Sequence, residues 1–192
     1  MKMVALMGSP RKRGNTDLLV EAFFAGAKSK GAEVEKVWLN DLRIHGCQAC
    51  LACHKTGRCR QRDDMTGVYE RLLAADFWVL ATPVYWWGPT AQLKTAIDRW
   101  YCLCYGEQPK LLKGKKMVLL TTCADEPKVA TPYLRGMLKQ AIGFLQMEWA
   151  GEIAVQAGPK GEVAKKPAEL ARARALGIKA AGGKRLKSSA QC

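Results

Sequence analysis

The chain has 192 residues, 48% hydrophobic and 25% charged, and its 31 Lys and Arg against 17 Asp and Glu give a net charge of +14. That composition excludes a disordered polyelectrolyte and fits a single globular domain of roughly 100–200 residues. No apolar run approaches the ~20 residues of a membrane span, and Met3–Met7 is too short for a signal-peptide core, so the expectation is a soluble cytoplasmic protein with no membrane role.

Taken in order, the chain alternates short apolar runs with amphipathic stretches. Lys2–Met7 reads as a buried strand ending at Gly8. Asn15–Lys30 has apolar residues at Leu18, Leu19, Ala22, Phe23 and Ala27, which is helical spacing, and Gly31 stops it. Glu33–Leu39 alternates charge and apolarity as an edge strand does. Cys47–Asp63 reads as loop, and Asp64 as the N-cap of a helix running to Ala75. Phe77–Ala81 and Lys116–Thr121 are further buried strands, with a helix over Thr90–Tyr101 between them. A helix over Val129–Leu145, a strand over Trp149–Val155 and a helix over Ala164–Ala181 complete the pattern. Five alternations imply an α/β fold, a parallel sheet with helices on both faces. Such sheets bind ligands outside the carboxyl ends of their strands. The loops Gly8–Thr16, Thr82–Thr90 and Thr121–Glu126 should therefore meet at the site.

The first of these loops joins a strand to a helix N-terminus and carries Ser9, Arg11, Lys12, Arg13, Asn15 and Thr16. Free backbone N–H groups and the positive end of the helix dipole suit a phosphate there. Neither G-x-x-x-x-G-K-[ST] nor G-x-G-x-x-G is present, so a monophosphate such as that of FMN fits better than ATP or NAD. The alternative is an ordinary turn capped by Asn or Thr. The second loop sets Tyr85, Trp86 and Trp87 between Pro83 and Pro89. A rigid aromatic loop at that position suits a flat ring, or else an aromatic plug or subunit contact.

Cys47-x2-Cys50-x2-Cys53-x5-Cys59 places four of the eight cysteines within thirteen positions. Two consecutive x2 spacings let three thiolates turn around a cubane corner, and a fourth nearby closes a [4Fe–4S] site. Structural zinc and redox-active thiols remain as alternatives. Arg58, Arg60 and Arg62 would raise a cluster's potential and guide an acidic donor. His45 and His54 bracket the loop as bystanders, and Asp63-Asp64 reads as a helix cap. Pro159–Cys192 carries half of the net charge. It contains no aromatic residue for stacking on bases, so a nucleic-acid role is disfavoured.

Gly8-Ser9-Pro10-Arg11, Gly14-Asn15-Thr16, the cysteine set with Asp63-Asp64-Met65 behind it, Thr82-Pro83-Val84-Tyr85, Leu93-Lys94 and Asp98-Arg99 together resemble the iron–sulfur flavoprotein family. That family lies within the NADPH-dependent FMN reductase and flavodoxin-like group. The match runs in register from about Met1 to Leu120. The resemblance implies a flavodoxin-like five-stranded parallel sheet in a three-layer α/β/α arrangement, spanning residues 1–182. A cysteine-rich loop would occupy 46–64 and a basic tail 183–192. It also implies one FMN and one [4Fe–4S] cluster per chain in a homodimer or homotetramer. By position, Ser9, Arg11, Asn15 and Thr16 would hold the phosphate. Pro83, Val84, Tyr85, Trp86, Trp87 and Gly88 would frame the ribityl chain and ring. Thr122, Cys123 and Asp125 would stand in the third loop, and Cys47, Cys50, Cys53 and Cys59 would bind iron. The paired tryptophans would narrow access for a nicotinamide. The implied activity is electron transfer between cluster and FMN to a small acceptor, with a ferredoxin-like protein or NAD(P)H as partner and no catalytic side chain. The rival readings are an NAD(P)H-dependent FMN or quinone reductase without a cluster, and a non-enzymatic basic binding module.

Overall fold

The computed structural model describes residues 1–182; the basic tail expected over 183–192, Cys192 with it, lies outside the described residues. Five strands form one parallel sheet: β1 Lys2–Met7, β2 Glu33–Trp38, β3 Phe77–Pro83, β4 Lys116–Cys123 and β5 Glu148–Gln156. Their order is β2-β1-β3-β4-β5, the flavodoxin-like doubly wound arrangement, with the switch point between β1 and β3. β1, β3 and β4 are almost continuously apolar because both of their faces are covered. β2, at the edge, buries only Val37 fully and leaves its other residues half-buried or exposed.

The helices are α1 Asn15–Lys28, α2 Ala52–Thr56, α3 Met65–Ala74, α4 Ala91–Arg99, α5 Gln108–Leu112, α6 Pro127–Ala130, α7 Pro132–Phe144 and α8 Pro167–Gly182. Period-two alternation divides each strand between two cores. Val4, Leu6, Trp78, Leu80 and Leu119 pack with α3, α4 and α7 on one face. Met3, Ala5, Met7, Val79 and Val118 pack with α1 and α8 on the other. The result is three layers.

The structure departs from the sequence expectations in short elements. The cysteine loop contains α2, one turn closed by Gly57 at φ 65°. Asp64 stands before α3 but does not cap it: its Oδ2 accepts from the Arg43 N–H at 2.7 Å, and Asp63 Oδ1 takes the Met65 N–H at 3.2 Å. The helix expected over Val129–Leu145 is two helices, each opening on a proline, because Pro127 and Pro132 lack the N–H that a continuing helix needs. α4 ends at Arg99 and tightens into a 3-10 turn over Trp100–Cys104. A 3-10 turn over Glu162–Lys165 precedes α8, which begins at Pro167 rather than Ala164.

Candidate functional site

The carboxyl ends of β1, β3, β4 and β5 open on a cavity of about 170 Å³. Ser9, Arg11, Asn15 and Thr16 line it from the first loop, Pro83, Val84 and Tyr85 from the second, and Thr122 and Cys123 from the third. Ala124, Ala157, Gly158 and Lys160 complete the wall. The last three follow β5, so the carboxyl-end rule that selected the other loops applies to this one too. Thr16 and Thr122 share a buried hydroxyl contact of 3.0 Å that ties α1 to β4. The Asn15 side chain is engaged by the β5 loop: Nδ2 donates to the Pro159 carbonyl at 2.8 Å, and Oδ1 accepts from the Val163 N–H at 3.1 Å. Gly14 caps α1 without a side chain, and the Asn15 and Thr16 backbone N–H groups have no acceptor among the described residues. Free helix-end donors, the hydroxyls of Ser9, Thr16 and Thr122, and the cations Arg11 and Lys160 make this donor set fit a phosphate monoester.

Trp86, Trp87, Gly88 and Asp125 stand outside the enclosed cavity. Tyr85 and Gly88 bond each other twice at 3.0 Å, and Trp86 and Trp87 between them both have positive φ, 47° and 58°. This is a type I′ turn built from the residues least suited to it. Trp86 is 90% exposed. Asp125 is exposed beyond the rim, where its charge would oppose a phosphate. Cys123 is buried, which pushes its thiol up.

A second cavity is lined by Cys47, Cys50, Cys53 and Cys59, together with Arg99 and Cys102. The loop reaches it through left-handed residues at Ala49 and Leu51. Gly57 and Gly106 cross in backbone contact: a Cβ on Gly57 would lie 3.1 Å from the Gly106 Cα. Burial, with the thiols of Cys59, Cys47 and Cys50 close by, pushes the Cys53 thiol up. Burial and the neighbouring Cys53 and Cys59 push Cys102 to about 11. The enclosed space is about 20 Å³, and among the described residues no three His, Cys, Asp or Glu are grouped to hold a single ion. Five thiols line the cavity with no carboxylate among them, and the four of the loop are nevertheless the donor chemistry of an iron–sulfur cluster, whose ligands stand around an inorganic core and not on one ion.

Arg99 and Asp63 are the residues the sequence reading missed. Arg99 is buried, with a bidentate bond to Asp63 (Nη1 to Oδ2 at 2.7 Å, Nη2 to Oδ1 at 3.1 Å). Nη1 also donates to the His45 carbonyl at 2.8 Å and Nη2 to Cys59 Sγ at 3.3 Å, while Nε is buried without a partner among the described residues. Burial alone would raise the Asp63 carboxyl, but hydrogen bonds from Arg99 and the His45 N–H outweigh it and hold the group at about 2. His45 lies 3.5 Å from Asp63, and His54 bonds the Tyr101 hydroxyl at 2.9 Å; both imidazoles are exposed. Asp98-Arg99 and Asp63-Asp64 are among the segments that carry the resemblance, which assigns neither residue this role; the physical signal for Arg99 was a cation set beside Leu93, Ala96 and Trp100 on the apolar face of α4.

The family model described as NADPH-dependent FMN reductase matches residues 1–158. An iron–sulfur flavoprotein of Archaeoglobus fulgidus is 36% identical over 183 residues, covering 94% of this chain and 79% of that protein. The chain belongs to the iron–sulfur flavoprotein family, within the NADPH-dependent FMN reductase group. It is thus an FMN-dependent oxidoreductase. The fold has solved counterparts. The NAD(P)H:quinone oxidoreductase of Methanothermobacter marburgensis superposes with a TM-score of 0.72 at 20% identity, over 96% of this chain and 98% of that one. The Trp repressor binding protein of Bacillus subtilis superposes with a TM-score of 0.71 at 24% identity, over 92% and 99%. Among the described residues no helix is long and apolar enough to cross a membrane.

Proposed function

We propose that this member of the family passes electrons between a [4Fe–4S] cluster held by Cys47, Cys50, Cys53 and Cys59 and an FMN at the carboxyl end of the sheet, for delivery to a small acceptor. The observation that carries this reading is the convergence of four thiols on one cavity at the far end of the helix that begins beside the FMN cavity. Thr90 opens that helix and donates to the Gly8 carbonyl at 2.8 Å, and Arg99, which lines the thiol cavity, closes it. The helix bridges about 14 Å at 1.5 Å per residue.

When bound, the cluster supplies one-electron chemistry and FMN one- and two-electron chemistry. The protein's own contribution is binding, exclusion and charge. At the sheet, the α1 amides, Ser9 and Thr16 bind the phosphate, and Arg11 and Lys160 neutralise it. The enclosed volume is below the ~300–1,000 Å³ of a typical ligand pocket, so it takes the phosphate end, with Tyr85 at the mouth and Trp86 restricting what approaches. No side chain serves as a general acid or base. At the thiols, residues 46–62 carry Lys55, Arg58, Arg60 and Arg62 and no acidic residue, which favours an acidic, ferredoxin-like donor over a neutral one. The exposed aromatic turn supports association into a homodimer or homotetramer, to be read by light scattering of the loaded protein.

Iron, sulfide and flavin counts on anaerobically purified protein test the reading. About four irons and one flavin per chain are expected, with a broad absorbance shoulder beside the flavin bands. Flavin without iron after reconstitution would leave an NAD(P)H-dependent FMN or quinone reductase, the reading that the narrowness of the thiol cavity favours.

A further inference from the structure

The geometry points to Arg99 as the residue that positions Cys59 and raises the potential of the group the four thiols hold. This inference rests on the cluster reading above and adds a residue to it.

Arg99 is 1% exposed, in a region where an isolated cation would be expelled or neutralised. Its partner accounts for one charge: Asp63, itself 5% exposed, receives the guanidinium fork and two backbone N–H groups, from His45 and Met65. Asp63 takes only two of the five guanidinium N–H groups; of the other three, one goes to the His45 carbonyl, and the Nη2 that bonds Oδ1 also reaches Cys59 Sγ. Among the described residues the Nε–H has no acceptor, although its residue lines the thiol cavity. An orphaned guanidinium N–H is costly to bury, and a sulfur-rich anionic group would satisfy it. The backbone around Arg99 is fixed as well: Tyr69 donates its hydroxyl to the Arg99 carbonyl at 2.7 Å, and Nη1 holds the His45 carbonyl at the start of the cysteine loop. The guanidinium thus sets where both ends of that loop lie, through His45 on one side and Cys59 and Asp63 on the other.

A cation donating to a thiolate stabilises the more negative, reduced form of an iron–sulfur centre and so raises its potential. Arg58, Arg60 and Arg62 carry the same sign but are all exposed, and water screens them. Among the cations of this loop and its wall, Arg99 is the one whose field acts without screening.

The test uses full-length protein, purified anaerobically and reconstituted with iron and sulfide. Two variants are compared with the parent: Arg99→Lys, which keeps the charge and loses the fork, and Arg99→Met with Asp63→Asn, which removes the pair without leaving one charge buried alone. The readouts are iron and flavin per chain, the midpoint potential of the cluster by anaerobic titration followed by EPR, and the rate of iron loss to a chelator. Both variants are expected to keep flavin. Arg99→Lys should hold iron at a more negative potential than the parent. The paired variant should be more negative still and lose iron several-fold faster. A purely structural role for Arg99 would slow or prevent folding without moving the potential of the protein that does fold. Parental potentials in loaded variants would therefore overturn the inference and leave the cluster reading standing. A parent that takes up no iron would overturn both. If the paired variant does not fold, the potential of Arg99→Lys decides alone.

Discussion

At the scale of single residues, the two sites contain side chains that weaken the fold. Trp86 and Trp87 occupy left-handed backbone in a turn that favours Asn-Gly, and each β-carbon in that conformation costs roughly 1–2 kcal/mol. Trp86 makes no compensating burial. Replacing the pair by Trp86→Asn and Trp87→Gly should raise the unfolding free energy by about 1–3 kcal/mol in urea titration, with flavin content retained because neither ring lines the enclosed cavity; an unchanged midpoint would mean that the turn is not strained. Asp63 makes the opposite contribution. Its carboxyl is held at about 2 against an ordinary 3.8, with Arg99 and His45 as the charged or titratable groups facing it. A depressed carboxyl stabilises the fold fully above its unfolded value, and that stability disappears as pH falls through the folded value. The displacement is worth roughly 2 kcal/mol at neutral pH. The melting temperature should fall between about pH 4 and pH 2, and Asp63→Asn should start lower and flatten that part of the curve. A variant profile parallel to the parent's would assign acid sensitivity to other carboxylates.

At the scale of elements, α1 and α8 are pressed together by two glycines facing each other's backbone. A Cβ on Gly26 would lie 2.0 Å from the Arg174 carbonyl oxygen, and one on Gly177 would lie 2.0 Å from that of Phe23. Neither carbonyl can yield without breaking its own helix. Gly177→Ala should therefore cost at least about 2 kcal/mol, seen as a lower denaturation midpoint, despite alanine's better helix propensity. A neutral or stabilised variant would mean that the helices can part without cost. Neither glycine was legible as a contact, since a sequence shows a small residue in a helix but not what faces it. The elements that were legible are those whose periodicity continues across several residues: β1, α1, β2, the apolar runs of β3 and β4, and, with ends shifted by a few residues, α3, α4, β5 and α8. α2 and α5 have five residues each, too few for a hydrophobic period, and Pro132 divides a stretch whose apolar pattern runs on through it. The Arg99–Asp63 pair spans 36 residues and leaves no local mark, whereas the cysteine spacing is local and so could be read directly.

At the scale of the whole molecule, the two cavities draw on different parts of the fold. The cavity at the carboxyl end of the sheet, where FMN is proposed to bind, is walled by the ends of buried strands, so its shape is set by the same two cores that make the sheet. The cysteine loop belongs to neither core. From Cys47 to Arg62 Gly57 is the one buried residue, and the contacts that hold the loop include His54 to Leu51, Gly57 to Cys53 and Gln61 to Gly46, with Cys102 and Gln108 reaching the Gly57 carbonyl and Arg99 reaching Cys59 Sγ from outside. Folding of the sheet therefore does not require the loop to be filled, whereas the proposed cluster, once bound, would add to the loop's own order. Cys50→Ala separates the two. It removes an exposed thiol from the loop and touches no core contact, so it should abolish iron binding while flavin per chain stays at the parental level. The iron-free variant should melt with the iron-free parent, and the loaded parent should resist proteolysis within residues 46–62 better than either. Joint loss of iron and flavin from Cys50→Ala would mean that the loop organises the carboxyl end of the sheet across the length of α4, and that the protein is one coupled site instead of two sites on one scaffold.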